Sequence, residues 1–287
     1  MTKEEYKALK TKYKELKNSY RDERFNMQQK NRESLEELKN QYKIEKYTLK
    51  EPLKAEKYRL KVEKRKQHRL LNEAPRRKTL EEIGNAISHG IGVPVGITFL
   101  VLMLSKSHDV YSALAAWVFG LCFTLQMLFS CLYHCFRSGT TVKRLFRRFD
   151  YATIFLQIGG SFAPLFLIFL PEYMWGIEWG IALFITQWVI IIAGISFIGV
   201  YGPGRIKWLH YTLFFVVGWS GLIFIPYWIK YDLYLLYFIL GGGIIYTLGM
   251  IPFGALRNKP VTHFIWHFVV LLAAICMALG YYLCVFC

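Results

Sequence analysis

The chain has 287 residues, 54% of them hydrophobic and 17% aromatic, with a formal net charge of +16. Residues 1–80 hold 25 Lys and Arg against 13 Asp and Glu, and residues 81–287 hold 11 against 7. A nearly uncharged apolar stretch of that length excludes a water-soluble domain and requires a bilayer as its solvent.

Residues 1–78 read as a charged helical cytoplasmic extension, with Pro52 the only breaker inside it. Tyr6, Leu9, Tyr13, Leu16 and Tyr20 alternate three and four apart, and Leu35, Leu38 and Tyr42 resume the rhythm one residue out of register. That is the a/d pattern of a coiled coil, which would make a homo-oligomer through this helix. Lys and Glu at many seam positions weaken it, and a single solvated helix held by Glu–Lys pairs fits equally well. The basic charge suits anionic inner-leaflet lipid, where each cation contributes about 1 kcal/mol. It does not suit nucleic acid, because Glu is interleaved throughout and no fold for reading bases is visible. Ala74 to Lys78, with Pro75, reads as a hinge. The polar start predicts no signal peptide, leaving the first hydrophobic run as the insertion signal.

Residues 79–287 divide into seven apolar runs, at about 84–105, 110–136, 149–170, 174–200, 207–229, 233–253 and 262–285. Each is near the roughly 20 residues of a spanning helix. Backbone groups find no water in hydrocarbon, so continuous apolar runs must be helices. The expected fold is an all-α bundle of seven transmembrane helices. Cys122, Cys131, Cys135, Cys276, Cys284 and Cys287 lack metal-ribbon spacing and read as small packing residues.

Loops after the second, fourth and sixth runs carry Arg137, Lys143, Arg144, Arg147, Arg148, Arg205, Lys207, Arg257 and Lys259, whereas the others carry only Lys106 and Lys230. The positive-inside rule puts the basic side and the N-terminus in the cytoplasm, and the C-terminus outside the cell membrane.

This topology sets His89, His134, Asp150, His210, His263 and His267 at one depth, just within the inner face. Ionisable groups inside a membrane are costly and call for a function. His263 and His267, four apart, share one helix face and can hold one metal ion. A third His at matching depth would leave an open position for water, and Asp150 is the acid in that layer beyond Glu81 and Glu82. Edge histidines that merely donate to headgroups or carbonyls are the competing reading. His210 has no partner in the pattern and reads as interfacial.

Three signatures resemble the hemolysin III family, the bacterial branch of the progestin and adiponectin receptor superfamily. They are Glu82-x-x-Asn85-x-x-Ser88-His89-Gly90, then Ser130-x-x-x-His134 with Arg147-Arg148-Phe149-Asp150-Tyr151 and Gly159-x-Ser161-Phe162-x-Pro164, then His263-x-x-x-His267. The resemblance runs from about residue 80 to 270 and leaves out the basic extension. It implies a seven-helix bundle with its N-terminus inside and one zinc ion held by His134, His263 and His267. Asp150 and Ser130 would contact the water at the open position. His89, with Asn85 and Glu82 of the same signature, would support the site through hydrogen bonds.

Two function classes follow. One is a zinc-dependent, ceramidase-like hydrolase of a lipid amide or ester, with membrane lipid as substrate, Asp150 as general base and Ser130 as its hydrogen-bonding partner. The other is a non-enzymatic regulator of membrane state, or a hemolysin acting in cytolysis. Pore formation fits least, because no repeating row of charge lines the bundle.

Overall fold

The computed structural model describes residues 3–27, 32–205, 207–255 and 260–287. All regular structure among them is helical, and it separates into two compact units, residues 1–71 and 72–287.

In the first unit, α1 (Lys3–Met27) and α2 (Arg32–Leu71) pack against each other. The extension is therefore two helices where the sequence reads as one. The a/d rhythm explains the packing. Tyr6, Leu9, Tyr13, Leu16 and Tyr20 are half-buried along α1, as are Leu35, Leu38 and Tyr42 along α2. Tyr20 stacks on Tyr42 with ring centroids 3.8 Å apart. The stripe is thus covered within one chain. α2 runs through Pro52 without ending.

The second unit holds seven helices long and apolar enough to cross a membrane: residues 79–106, 110–135, 141–173, 176–201, 207–231, 233–251 and 262–284. The first two are α3 (Thr79–Lys106) and α4 (Val110–Cys135). The third begins as α5 (Thr141–Ser161) and continues through wider π-helical turns, Leu165–Phe169 and Pro171–Trp175. Pro164 precedes the first of these turns and Pro171 opens the second, and each lacks the N–H that a regular α-helical ladder requires. Next comes α6 (Gly176–Tyr201). The fifth span is α7 (Lys207–Trp219), a tight turn at Ser220–Phe224, and α8 (Ile225–Tyr231). The last two are α9 (Leu233–Ala255) and α10 (Pro260–Cys284). Arg257 and Lys259, counted among the loop charges, lie outside the described residues.

Helix α3 packs on both α4 and α10, α4 also packs on α5, and α9 packs on α10. Lipid is as apolar as a leucine side chain, so close backbone approach drives such packing. At Gly120 a Cβ would meet Leu100 Cβ of α3 at 2.5 Å, so only glycine admits this contact. The core between the helices is largely aromatic, with Phe119, Phe123, Phe155, Phe169, Trp228 and Tyr281 all below 3% exposed.

The strap before α3 is fixed at its start. Asn72 Nδ2 donates to the Tyr201 carbonyl at 3.1 Å, and Asn72 Oδ1 accepts from Gly204 N at 3.0 Å. Gly202 between them has φ +75°, the left-handed region that glycine enters without strain. Arg147 donates to the Glu73 carbonyl at 3.0 Å, and Arg144 pairs with the Glu73 carboxylate at 3.3 Å.

Candidate metal centre

Two helices deliver the three histidines. His134 lies in the last turn of α4, while His263 and His267 share one stripe at the start of α10. His263 Nε2 stands 3.4 Å from His134 Nε2 and 3.1 Å from His267 Nε2. The potential ligand atoms of the three residues all lie within 4.8 Å of one another. Imidazole nitrogens that converge this way turn lone pairs toward one point, and a cation there relieves their repulsion. The group can hold a metal ion.

Glu82 of α3 sets the orientation of His134. Its Oε2 lies 2.6 Å from His134 Nδ1. A carboxylate only accepts, so Nδ1 carries the hydrogen and donates, which leaves Nε2 as the lone-pair nitrogen facing the cluster. The same Oε2 receives Lys143 Nζ at 3.0 Å. The Lys143 side chain is 0% exposed, lies 4.4 Å from the Tyr133 ring centroid, and reaches the His134 carbonyl at 3.5 Å. One buried ammonium thus ties α3, α4 and α5 together beside His134. It also satisfies a carbonyl at the C-terminal end of α4, where the helix dipole favours positive charge.

About two turns along α3, His89 packs on His267 with centroids 3.9 Å apart, and its Nε2–H donates to the His267 carbonyl at 3.2 Å. His89 is outside the converging trio. Asn85 lies between Glu82 and His89 on the same face and is 0% exposed, with neither carboxamide atom hydrogen-bonded to protein. Asp150 of α5 sits within hydrogen-bonding reach of the Ser130 side chain and within electrostatic reach of His134. Ser130 and His134 are four apart on α4 and share its inner face. Glu81 pairs with Arg77 at 3.1 Å.

Of the residues at one predicted depth, the bundle gathers His89, His134, Asp150, His263 and His267, with Glu82, Asn85 and Ser130 around them. His210 stays apart. It reads from sequence as interfacial, yet it is 1% exposed with neither ring nitrogen bonded, so its ring faces protein instead of headgroups. Lys143 is the residue that sequence reasoning missed. It was counted as a cytoplasmic loop charge, but Thr140 caps α5, with Lys143 N–H donating to Thr140 Oγ1 at 3.1 Å, and starts the helix early enough to turn Lys143 inward.

The chain is 32% identical over 195 residues to Hemolysin-3 of Bacillus cereus, which covers 67% of this chain and 85% of that protein. It is 29% identical over 195 residues to the Hemolysin-3 homolog of Bacillus subtilis (strain 168), covering 67% and 88%. Over 207 residues it is 25% identical to the human monocyte to macrophage differentiation factor, covering 70% and 82%. Residues 77–278, the stretch that carries all seven spans except the last six residues of α10, match the family described as "Haemolysin-III related", and this multi-pass membrane protein belongs to the hemolysin III family.

Proposed function

We propose that the protein is a zinc-dependent hydrolase that cleaves an amide or ester of a membrane lipid, working at the inner face of the cell membrane with its N-terminus cytoplasmic and its C-terminus outside. The observation that carries this reading is the convergence of three imidazoles with Asp150 and Ser130 beside them. Tetrahedral ligands about 2.0–2.1 Å from zinc stand about 3.3–3.4 Å from each other. Two of the three separations between ring nitrogens, 3.1 and 3.4 Å, lie near that spacing, and the whole group lies within 4.8 Å. Three neutral nitrogens and an open fourth position are the donor set of a catalytic site.

Zinc held by His134, His263 and His267 would supply Lewis acidity, polarising a substrate carbonyl and easing loss of a proton from water. The chain's own groups do the rest. Glu82 fixes the His134 tautomer, Lys143 fixes Glu82, and His89 steadies His267. Asp150 accepts the proton of the attacking water, and Ser130 holds the Asp150 carboxylate in place. Acyl chains reach the site from the bilayer. The basic extension, residues 1–78, rests on anionic lipid of the inner leaflet.

The test offers purified protein a panel of ceramides and acylated lipids and follows release of free fatty acid. Asp150→Asn should keep its metal and lose about 10²–10⁴ of the rate, the usual share of a general base. A second reading, a regulator without catalysis, draws on the human relative's name as a differentiation factor. No release by zinc-loaded wild type across the panel, or release indifferent to Asp150, would decide for it.

A further inference from the structure

At the centre, Glu82, His89 and His267 each keep one buried side-chain polar atom unbonded, and Asn85 keeps both of its own unbonded. Asn85 is 0% exposed, and both its Oδ1 and its Nδ2 are buried without a hydrogen-bond partner. Leaving buried polar atoms unsatisfied costs about 1–3 kcal/mol each, so such a group in a native structure points to a role. Its position is defined from both sides. Three residues before it, Glu82 bonds to His134, and four residues after it, His89 bonds to the His267 backbone and packs on its ring. Residues at these spacings form one stripe of the helix, about 4.5 Å and 6 Å of rise from Asn85. α3 packs on both α4 and α10, the helices that carry the three histidines. The Asn85 carboxamide therefore occupies the part of the α3 face that looks onto the histidine cluster.

We infer that Asn85 is a catalytic residue, the donor whose Nδ2–H binds the substrate's carbonyl oxygen beside the metal ligands. The inference rests on the hydrolase reading and adds a second electrophile to it. In the step concerned, the water oxygen forms a bond to the carbonyl carbon and its proton passes to Asp150. The C=O π pair moves onto the carbonyl oxygen, and Asn85 Nδ2–H donates to the charge that collects there. When that pair returns, the bond from carbon to the amine nitrogen or alcohol oxygen breaks. The departing group takes the proton from Asp150, giving acid and amine or alcohol. A carboxamide suits the task because it donates without carrying charge. It therefore adds no repulsion toward a cation held by the three imidazoles. Its position on a rigid helix holds the donor before charge develops, which is where such donors have most effect.

The experiment uses the full chain loaded with cobalt(II), whose visible bands report ligands at the metal, and titrates decylphosphonate, a lipid-like tetrahedral oxyanion. Wild type should bind about one cobalt and then the phosphonate. Asn85→Ala should keep the cobalt and bind phosphonate about 10-fold or more weaker, part of the 10²–10³ that one such donor contributes in a transition state. Asn85→Ser, which restores a small donor, should recover part of the loss. Unchanged phosphonate affinity in Asn85→Ala would overturn the proposal. Loss of cobalt from both variants would also overturn it, by showing that Asn85 builds the site instead of touching substrate. A wild-type protein that binds no cobalt would overturn the metal reading itself, and is told apart because no substitution is involved.

Discussion

Glu82→Gln is the substitution that separates orientation of the metal site from stability of the bundle. Glu82 Oε2 lies 2.6 Å from His134 Nδ1 and 3.0 Å from Lys143 Nζ, and the three side chains are 12%, 0% and 0% exposed. The substitution keeps the shape, removes the charge, and leaves the Lys143 ammonium buried without its counter-ion. Breaking a buried pair on one side costs about 3–5 kcal/mol. For a domain of this size that corresponds to a fall in Tm of about 6–20 °C. Loss of the carboxylate behind a ligating imidazole lowers metal affinity by about 10–100-fold. Adding Lys143→Met removes the unpaired cation, so the double variant should regain most of the stability and none of the metal affinity. Thermal unfolding in detergent reads the first quantity, and competition for zinc with a chromophoric chelator reads the second. Wild-type zinc affinity in Glu82→Gln would refute the orienting role. A double variant no more stable than either single one would refute the buried pair.

Two further outcomes follow from charge and topology. Asp109 caps α4 through Ser112, whose backbone N–H donates to it at 2.6 Å and whose hydroxyl donates at 2.7 Å, and these bonds hold its carboxyl below the ordinary range. Its contribution is therefore present above about pH 4 and lost as the pH falls through its lowered folded value. Asp109→Ala should cost about 1 kcal/mol at neutral pH. The gap in Tm between it and wild type should narrow below pH 4, and a gap that persisted at pH 2 would contradict the cap. For orientation, Cys287 and Gly139 are both exposed. A membrane-impermeant maleimide should label Cys287 on intact cells, and Gly139→Cys only after permeabilisation. The reverse pattern would invert the topology.

The spans were legible because a bilayer imposes one requirement, a run of apolar residues long enough to satisfy its own backbone. The third shows where that fails. Its apolar run begins near residue 149, yet the helix begins at Thr141. Lys143 and Arg147, which look like loop charges, are 0% and 5% exposed and belong to the helix. Composition records charge and cannot record that Glu82 and the Glu73 carbonyl wait on neighbouring segments. His263 and His267 were legible because four residues make one helical turn. Their meeting with His134 rests on how α4 and α10 approach α3, which small residues such as Gly120 decide through tertiary contact. In the extension, the a/d rhythm predicted a seam but could not say which helix would fill it. His210 shares the predicted depth of the cluster but is not among its converging nitrogens, and depth was all the sequence could assign.

The measurement that bears most directly on the central claim is the zinc content of purified protein, by elemental analysis, in wild type and in His134→Ala, His263→Ala, His267→Ala and His210→Ala. The trio of converging nitrogens predicts about one zinc per chain in wild type and in His210→Ala, and loss of most of it from each of the other three. Zinc at the wild-type level in those three variants would contradict the account.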